Sequence, residues 1–224
     1  MNLSRRKIDE EKDESGSSEK LVVAQLSERT ILATGIRVGT LVKTKDMERF
    51  ISRTRPDGLH IIDLDKILSR IDVAAKFIAR ADIKRVVVCS AREYGKTPVE
   101  MFCSLTGAIP ITGRFMPGTF TNPLYPEHID PEIVMVVDPV MDARAVDEAS
   151  KVGVSLIAIC DTDNVTSNVD LIIPGNNRGR RALATIFWLL ARAVLIHSGA
   201  LTADQQLKYS IEDFETKVVE ESVK

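Results

Sequence analysis

Apolar runs of a few residues alternate with segments of helical period along most of the chain. Val154-Ser155-Leu156-Ile157-Ala158-Ile159 is nearly continuous, as a strand buried on both faces requires. Strands of the same kind are predicted at Leu59–Ile62, Arg85–Cys89, Ile109–Ile111, Ile133–Val137 and Val169–Ile173, the last closed by Pro174. Between them lie segments with a 3.6-residue period. Asp65–Ala81 places Ile67, Ile71, Ala74, Ala75 and Ile78 on one face. Thr97–Leu105 carries Pro98 in its first turn and is closed by Gly107. Asp142–Lys151 stops at Gly153, and Arg181–Ser198 is long and apolar. Leu21–Leu32 is also helical in pattern, and Gly35 to Gly39 breaks it. Gly113 to Pro126 is an irregular loop.

Strands alternating with helices imply βαβ units and a parallel sheet covered on both faces. Right-handed crossovers make this a doubly wound, Rossmann-like α/β fold. It is a mostly parallel sheet of five or six strands in a three-layer αβα sandwich. Ligands of such sheets bind outside the carboxyl ends of the strands. That edge is expected to carry Asp63, Ser90, Asp138 and Asp161.

Composition adds the boundaries. Residues 1–20 are charged and lack apolar groups, so a disordered tail is expected there, with the α/β domain over 21–199. From about residue 200 the sequence turns polar and acidic, and 200–224 reads as a tail, partly helical or disordered. No apolar h-region follows Met1, and Arg192 interrupts the longest apolar helix, so neither a signal peptide nor a membrane span is expected. Cys89, Cys103 and Cys160 have no pairing or metal-type spacing, which fits a reduced, cytoplasmic protein.

Two chemistries compete. Asp161-Thr162-Asp163-Asn164-Val165 after an apolar strand matches the short signature of haloacid-dehalogenase-like, magnesium-dependent phosphatases, with Asp161 as nucleophile and Asp163 as general acid. The signature follows the first strand in those enzymes and comes late here, with one strand and one helix after it. The same carboxylates can instead cap a turn through backbone N–H groups. No Walker sequence or Gly-x-Gly-x-x-Gly occurs, and His60, His128 and His197 lie far apart.

The second chemistry is anion binding. The net charge is -2, yet Arg37, Lys43, Lys45, Arg49, Arg53 and Arg55 face only Asp46 and Glu48 between residues 37 and 56, a local +4. Arg114, and the group Arg178, Arg180 and Arg181, repeat the pairing of arginine with glycine in loops or at a helix start. Arginine is the better bidentate ligand for phosphate, so these positions point to a nucleic-acid backbone without sequence readout.

The ordered blocks Lys43-Thr44-Lys45-Asp46-Met47, Arg55-Pro56-Asp57-Gly58-Leu59, Gly113-Arg114-Phe115, Thr121-Asn122-Pro123, Cys160-Asp161-Thr162-Asp163-Asn164, Asn176-Asn177-Arg178-Gly179 and Trp188-Leu189-Leu190-Ala191-Arg192 resemble the small-subunit ribosomal protein S-two family, in its archaeal and eukaryotic type. The resemblance covers about residues 21–199. It implies a structural, non-enzymatic constituent of the small ribosomal subunit, on its back between head and body. Its partners would be small-subunit rRNA and neighbouring ribosomal proteins, with no cofactor, membrane or small-molecule substrate. Asn122 joins the basic residues above as an RNA-contacting candidate. Only Pro123–Pro131 stands where bacterial members carry a helical hairpin. Arg37 stands where the family usually has histidine, and Ala193 where glutamate is common.

Overall fold

The computed structural model describes residues 28–202, 205 and 207–217. The tail expected at 1–20 and the helical pattern at 21–27 lie outside them. The first helix, α1, covers Glu28–Ala33, and a four-residue turn of helix, α2, covers Lys45–Glu48.

Next comes a hairpin. Strand β1 (Ile51–Thr54) pairs antiparallel with β2 (His60–Ile62), with Thr54 opposite His60. The sequence pattern gave no sign of β1, because Ser52, Arg53 and Thr54 are all exposed and only a half-buried Ile51 marks it. The hairpin corrects the expectation for Asp63. It does not sit at the carboxyl edge of the parallel sheet. Its side chain accepts the Asp65 N–H at 3.2 Å and caps the next helix, α3 (Leu64–Arg80).

The remaining elements alternate: β3 (Val86–Ser90), α4 (Lys96–Thr106), β4 (Ile109–Thr112), β5 (Ile133–Val136), α5 (Ala143–Val152), β6 (Ser155–Cys160), β7 (Leu171–Pro174) and α6 (Arg180–His197). Five strands form one parallel sheet in the order β4-β3-β5-β6-β7. The chain moves from β3 outward to β4, then returns to build β5, β6 and β7 on the other side. Right-handed crossovers then put α4 and α5 on opposite faces. The central strands β3 and β5 are buried at every position, and β6 at all but its first.

Helix α6 is apolar nearly all round because it is covered nearly all round. It packs against α3 and α4 on the sheet, and a short terminal helix, α7 (Ile211–Phe214), lies on it from outside. This part of the acidic terminal stretch is tied down. Phe214 is fully buried, Trp188 donates its indole N–H to the Tyr209 carbonyl at 2.8 Å, and Thr216 donates to the Tyr94 carbonyl at 3.1 Å. On the opposite face the long irregular loop after β4 is pinned to α5. Glu148 of α5 accepts the N–H groups of Gly118 at 2.6 Å and Phe120 at 3.1 Å, while Phe115 and Phe120 pack on each other. No helical hairpin occurs in this loop, between Gly113 and Glu132.

Truncating a fully buried aromatic side chain costs about 3–5 kcal/mol. Phe214→Ala is therefore expected to destabilise the whole protein by that amount in urea unfolding. An unchanged midpoint would show that the terminal helix adds nothing to the fold.

Candidate nucleic-acid interface

Past the carboxyl ends of β5, β6 and β7 the chain fills the space with its own side chains. Asn164 is the hub. Its Oδ1 accepts the Asp161 N–H at 2.6 Å and the Asn177 amide at 3.0 Å, and its Nδ2 donates to Asp138 Oδ1 at 3.0 Å. Asp138 Oδ2 in turn accepts from Arg92, beyond β3, at 2.8 Å through Nε and more closely through Nη2. Asp142 accepts the N–H groups of Ala91 at 2.7 Å and Asp138 at 3.2 Å.

The segment before the hairpin closes over this network. Thr40 N–H donates to Thr162 Oγ1 at 2.9 Å, Thr44 N–H to the Thr162 carbonyl at 2.9 Å, and the Thr44 hydroxyl to the Asn164 carbonyl at 3.0 Å. Gly39 permits the approach, since a Cβ there would come within 2.5 Å of the Thr162 methyl group.

The two carboxylates singled out in the sequence are thus structural, with roles differing from a shared turn cap. Asp161 accepts its neighbour Thr162 N–H at 2.7 Å and is buried. Burial raises its pKa to about 6, Asp163 adds to the rise, and the Thr162 N–H and Arg178 oppose it. Asp163 does not cap the turn: its Oδ2 pairs with Arg178. Asn164, which neither chemistry singled out, makes the turn bond. The histidines are also engaged: His60 with the Thr54 hydroxyl at 2.9 Å, His128 with the Thr119 carbonyl at 3.0 Å, and His197 with Asp72 at 2.8 Å. Among the described residues no group of acids, histidines and cysteines has the arrangement to hold a metal ion.

The basic candidates divide into two sets. Arg37 donates its Nε to the Ile62 carbonyl at 2.9 Å and so holds the hairpin. Arg178 is taken by Asp163. Arg180 and Arg181 both reach Glu215, just past α7, at 2.6 and 3.5 Å. Lys43 pairs with Glu48 at 2.6 Å and lowers the Glu48 pKa. Asn122 is exposed and its side chain accepts the Leu124 N–H at 3.1 Å.

The second set faces outward. Lys45, Arg49, Arg53, Arg55 and Arg114 are exposed, and of these only Arg55 has an ion-pair partner among the described residues, Asp57 at a loose 3.7 Å. Lys45 and Arg49 share a groove of about 430 Å³ with Arg70 of α3; Asp170 and Asp46, which accepts the Thr166 hydroxyl at 2.7 Å, also line it. Lys66 stands one helical turn before Arg70, in an adjoining hollow that also holds Arg49. Both Arg49 and Arg70 lie over the Phe50 ring, at 4.8 and 5.7 Å from its centroid. The buried ring thus orients two guanidinium groups into one place. The contribution of Lys66 and Arg70 was hidden in the sequence. Their i, i+4 spacing reads as the solvated face of an amphipathic helix until the loop before β1 is folded against it.

The fold and this edge define a class. It is a doubly wound α/β protein whose customary ligand edge is largely closed by its own side chains and whose free cations lie on an outer face. The family model described as "Ribosomal protein S2" matches residues 31–125 and 124–196. A "Small ribosomal subunit protein uS2" from Nitrosopumilus maritimus (strain SCM1) is 51% identical over 195 residues, 87% of this chain and 94% of that protein. Proteins of the same description from Thermofilum pendens (strain DSM 2475 / Hrk 5) and Ignicoccus hospitalis (strain KIN4/I / DSM 18386 / JCM 14125) are 52% and 46% identical. They cover 84% and 90% of this chain and 88% and 97% of their own lengths. The chain belongs to the ribosomal protein S2 family, as its sequence blocks implied, and it is not an enzyme.

Removing Asn164 leaves the Asp161 N–H and one N–H of the Asn177 amide without an acceptor and takes one donor from Asp138, which keeps Arg92 and the Val140 N–H. Each unsatisfied buried group costs about 1–3 kcal/mol, so Asn164→Ala is expected to cost about 3 kcal/mol or more. The Asp163–Arg178 pair is partly exposed, and such pairs contribute about 0–1 kcal/mol. Asp163→Ala should therefore change stability little. Urea unfolding of both variants checks the ranking, and an equal loss would show that Asn164 is not the hub.

A second expectation concerns protons. Burial raises the Asp142 pKa to about 6, against the opposing pull of the Ala91 and Asp138 N–H groups. The folded state then holds this proton more tightly than the unfolded state does. The destabilisation from the buried charge is complete above pH ~6 and is relieved as pH falls toward the unfolded value of about 3.9. Carbon-detected NMR of the native protein should place the Asp142 midpoint near 6. A midpoint near 4 would refute the desolvation argument.

Proposed function

We propose that this chain is a structural constituent of the small ribosomal subunit that binds small-subunit rRNA by its phosphates and docks beside neighbouring ribosomal proteins. The observation that carries the RNA contact is the convergence of Lys45, Arg49 and Arg70 on one groove, with Arg53 exposed on the adjoining strand and Arg55 exposed just past its end. Cations held loosely or not at all by the protein are available to phosphates. Arg180 and Arg181, which share Glu215, and Arg178 and Arg37, which hold internal partners, contribute less by the same reasoning.

The overall charge of -2 gives no long-range attraction to RNA, so binding rests on this local field. No helix among the described residues is long and apolar enough to cross a membrane. The polar loops around the closed strand ends offer a surface to protein neighbours. In this reading the fold supplies a rigid body with one cationic face, and the reaction-bearing edge of the scaffold is used for packing.

Each phosphate contact contributes about 0.7–0.9 to the slope of log binding against log salt. Replacing Arg49, Arg53 and Arg55 by alanine should weaken association with small subunits and flatten that slope by about two units. Lysine at the same positions should restore the charge and only part of the affinity, because the bidentate geometry is lost. The measurement is co-sedimentation with small subunits across a salt series. An unchanged slope in the triple alanine variant would mean that this face is merely solvated.

A further inference from the structure

The closed network leaves one part of the strand ends open. Where β3 meets β5, the order of the sheet reverses: the connection after β3 runs outward to β4, and the one after β5 runs the other way, to β6. In a doubly wound sheet the loops diverge at this point and leave a crevice. Here the crevice has a volume of about 640 Å³ and lies among Ala91 after β3, Gly113 and Arg114 after β4, and Met141 and Asp142 after β5. That volume is in the range of sites that hold small ligands.

Its lining is specific in charge. Arg114 and Arg144 both line it, both are exposed, and neither has an ion-pair or hydrogen-bond partner among the described residues. The acids at the same place are neutralised or turned away. Glu93 pairs with Lys96 at 3.0 Å. Asp142 is 3% exposed, and its two oxygens accept the Ala91 and Asp138 N–H groups. Two guanidinium groups therefore remain without a counter-charge. Beside them Pro117 and Met141 are exposed and give the crevice an apolar wall. A guanidinium group takes a phosphate bidentately, and apolar side chains pack against the face of a base.

We propose that this crevice holds a single unstacked nucleotide of RNA, its phosphate between Arg114 and Arg144 and its base against Pro117 and Met141. The site is separate from the Lys45–Arg70 groove and rests on the reading of the protein as RNA-bound. It makes the switch point a nucleotide pocket with no chemistry attached, because the acids of the edge are bonded to backbone N–H groups or to arginine.

The test uses the full chain, isotopically labelled, titrated with uridine monophosphate and with a pentauridylate oligonucleotide. Both should shift the amide resonances of Ala91, Gly113 and Met141, and the oligonucleotide should bind more tightly. The double variant Arg114→Ala/Arg144→Ala should weaken oligonucleotide binding at least tenfold, while Arg80→Ala, at the other end of the sheet, should leave it unchanged. Met141→Glu, which places a negative charge on the wall without touching either arginine, should also weaken it. Absence of shifts at the crevice, or equal loss in the Arg80 variant, would overturn the site. Monophosphate binding as tight as the oligonucleotide would overturn RNA as its source in favour of a free nucleotide. The salt series on Arg49, Arg53 and Arg55 reads a different face, so failure of subunit association there and failure of the crevice are told apart.

Discussion

One asparagine side chain joins three strand ends. Asn164 bonds to the backbone after β6, to Asp138 after β5 and to Asn177 after β7. Asp138 extends the connection to Arg92 beyond β3. The sheet itself fixes only the register of its strands. It leaves the loops at its carboxyl edge free to diverge, which is why such edges usually hold ligands. Here a buried amide with both a donor and an acceptor satisfies three groups of different kinds at once. A carboxylate could accept from Asp161 and Asn177 but could not donate to Asp138. The edge is thereby rigid before any partner arrives.

The same network determines what can lie above it. The 39–44 segment reaches the edge only because Gly39 has no side chain, and it is part of the window of net positive charge. The hairpin follows, its inner side held by Arg37. Helix α3 presents Lys66 and Arg70 to the same place. The cationic face is thus built from a loop, a hairpin and a helix that meet because the strand ends beneath them are closed. Phe50, buried under two guanidinium groups, is the physical link between core and surface.

Much of this was legible in the chain. Strands buried on both faces read as unbroken apolar runs, so the parallel sheet and its covering helices could be placed to within a few residues. β1 escaped because a strand outside the main sheet, with one half-buried residue, has no apolar signature. The charge window was legible as a sum but not as a division of labour. Arg180 and Arg181 look as free as Arg49 and Arg53 until Glu215, more than 30 residues away in sequence, is folded onto them. Asp161 and Asp163 drew notice because a known chemistry uses that spacing. The decisive residue stood next to them, and its partners are 13 and 26 residues distant. Periodicity reports burial, and it is silent on which polar groups meet inside.

A doubly wound sheet with acids at its strand ends differs from an enzyme of similar outline in where those acids point. Catalysis needs carboxylates that are free to exchange protons or to hold a metal against a substrate. Asp138 and Asp142 each accept more than one hydrogen bond from the protein, and Asp161 is buried against its own turn. Raised pKa values at Asp142 and Asp161 would mark an active site on the usual argument. In this chain they record desolvation within a packed network. The polar groups that remain available are arginines and lysines on an outer face, which suit the uniform charge of a phosphate backbone. A scaffold that elsewhere holds a reacting ligand at its edge here spends most of that edge on its own stiffness, and a rigid body of fixed charge suits the RNA-bound role proposed above.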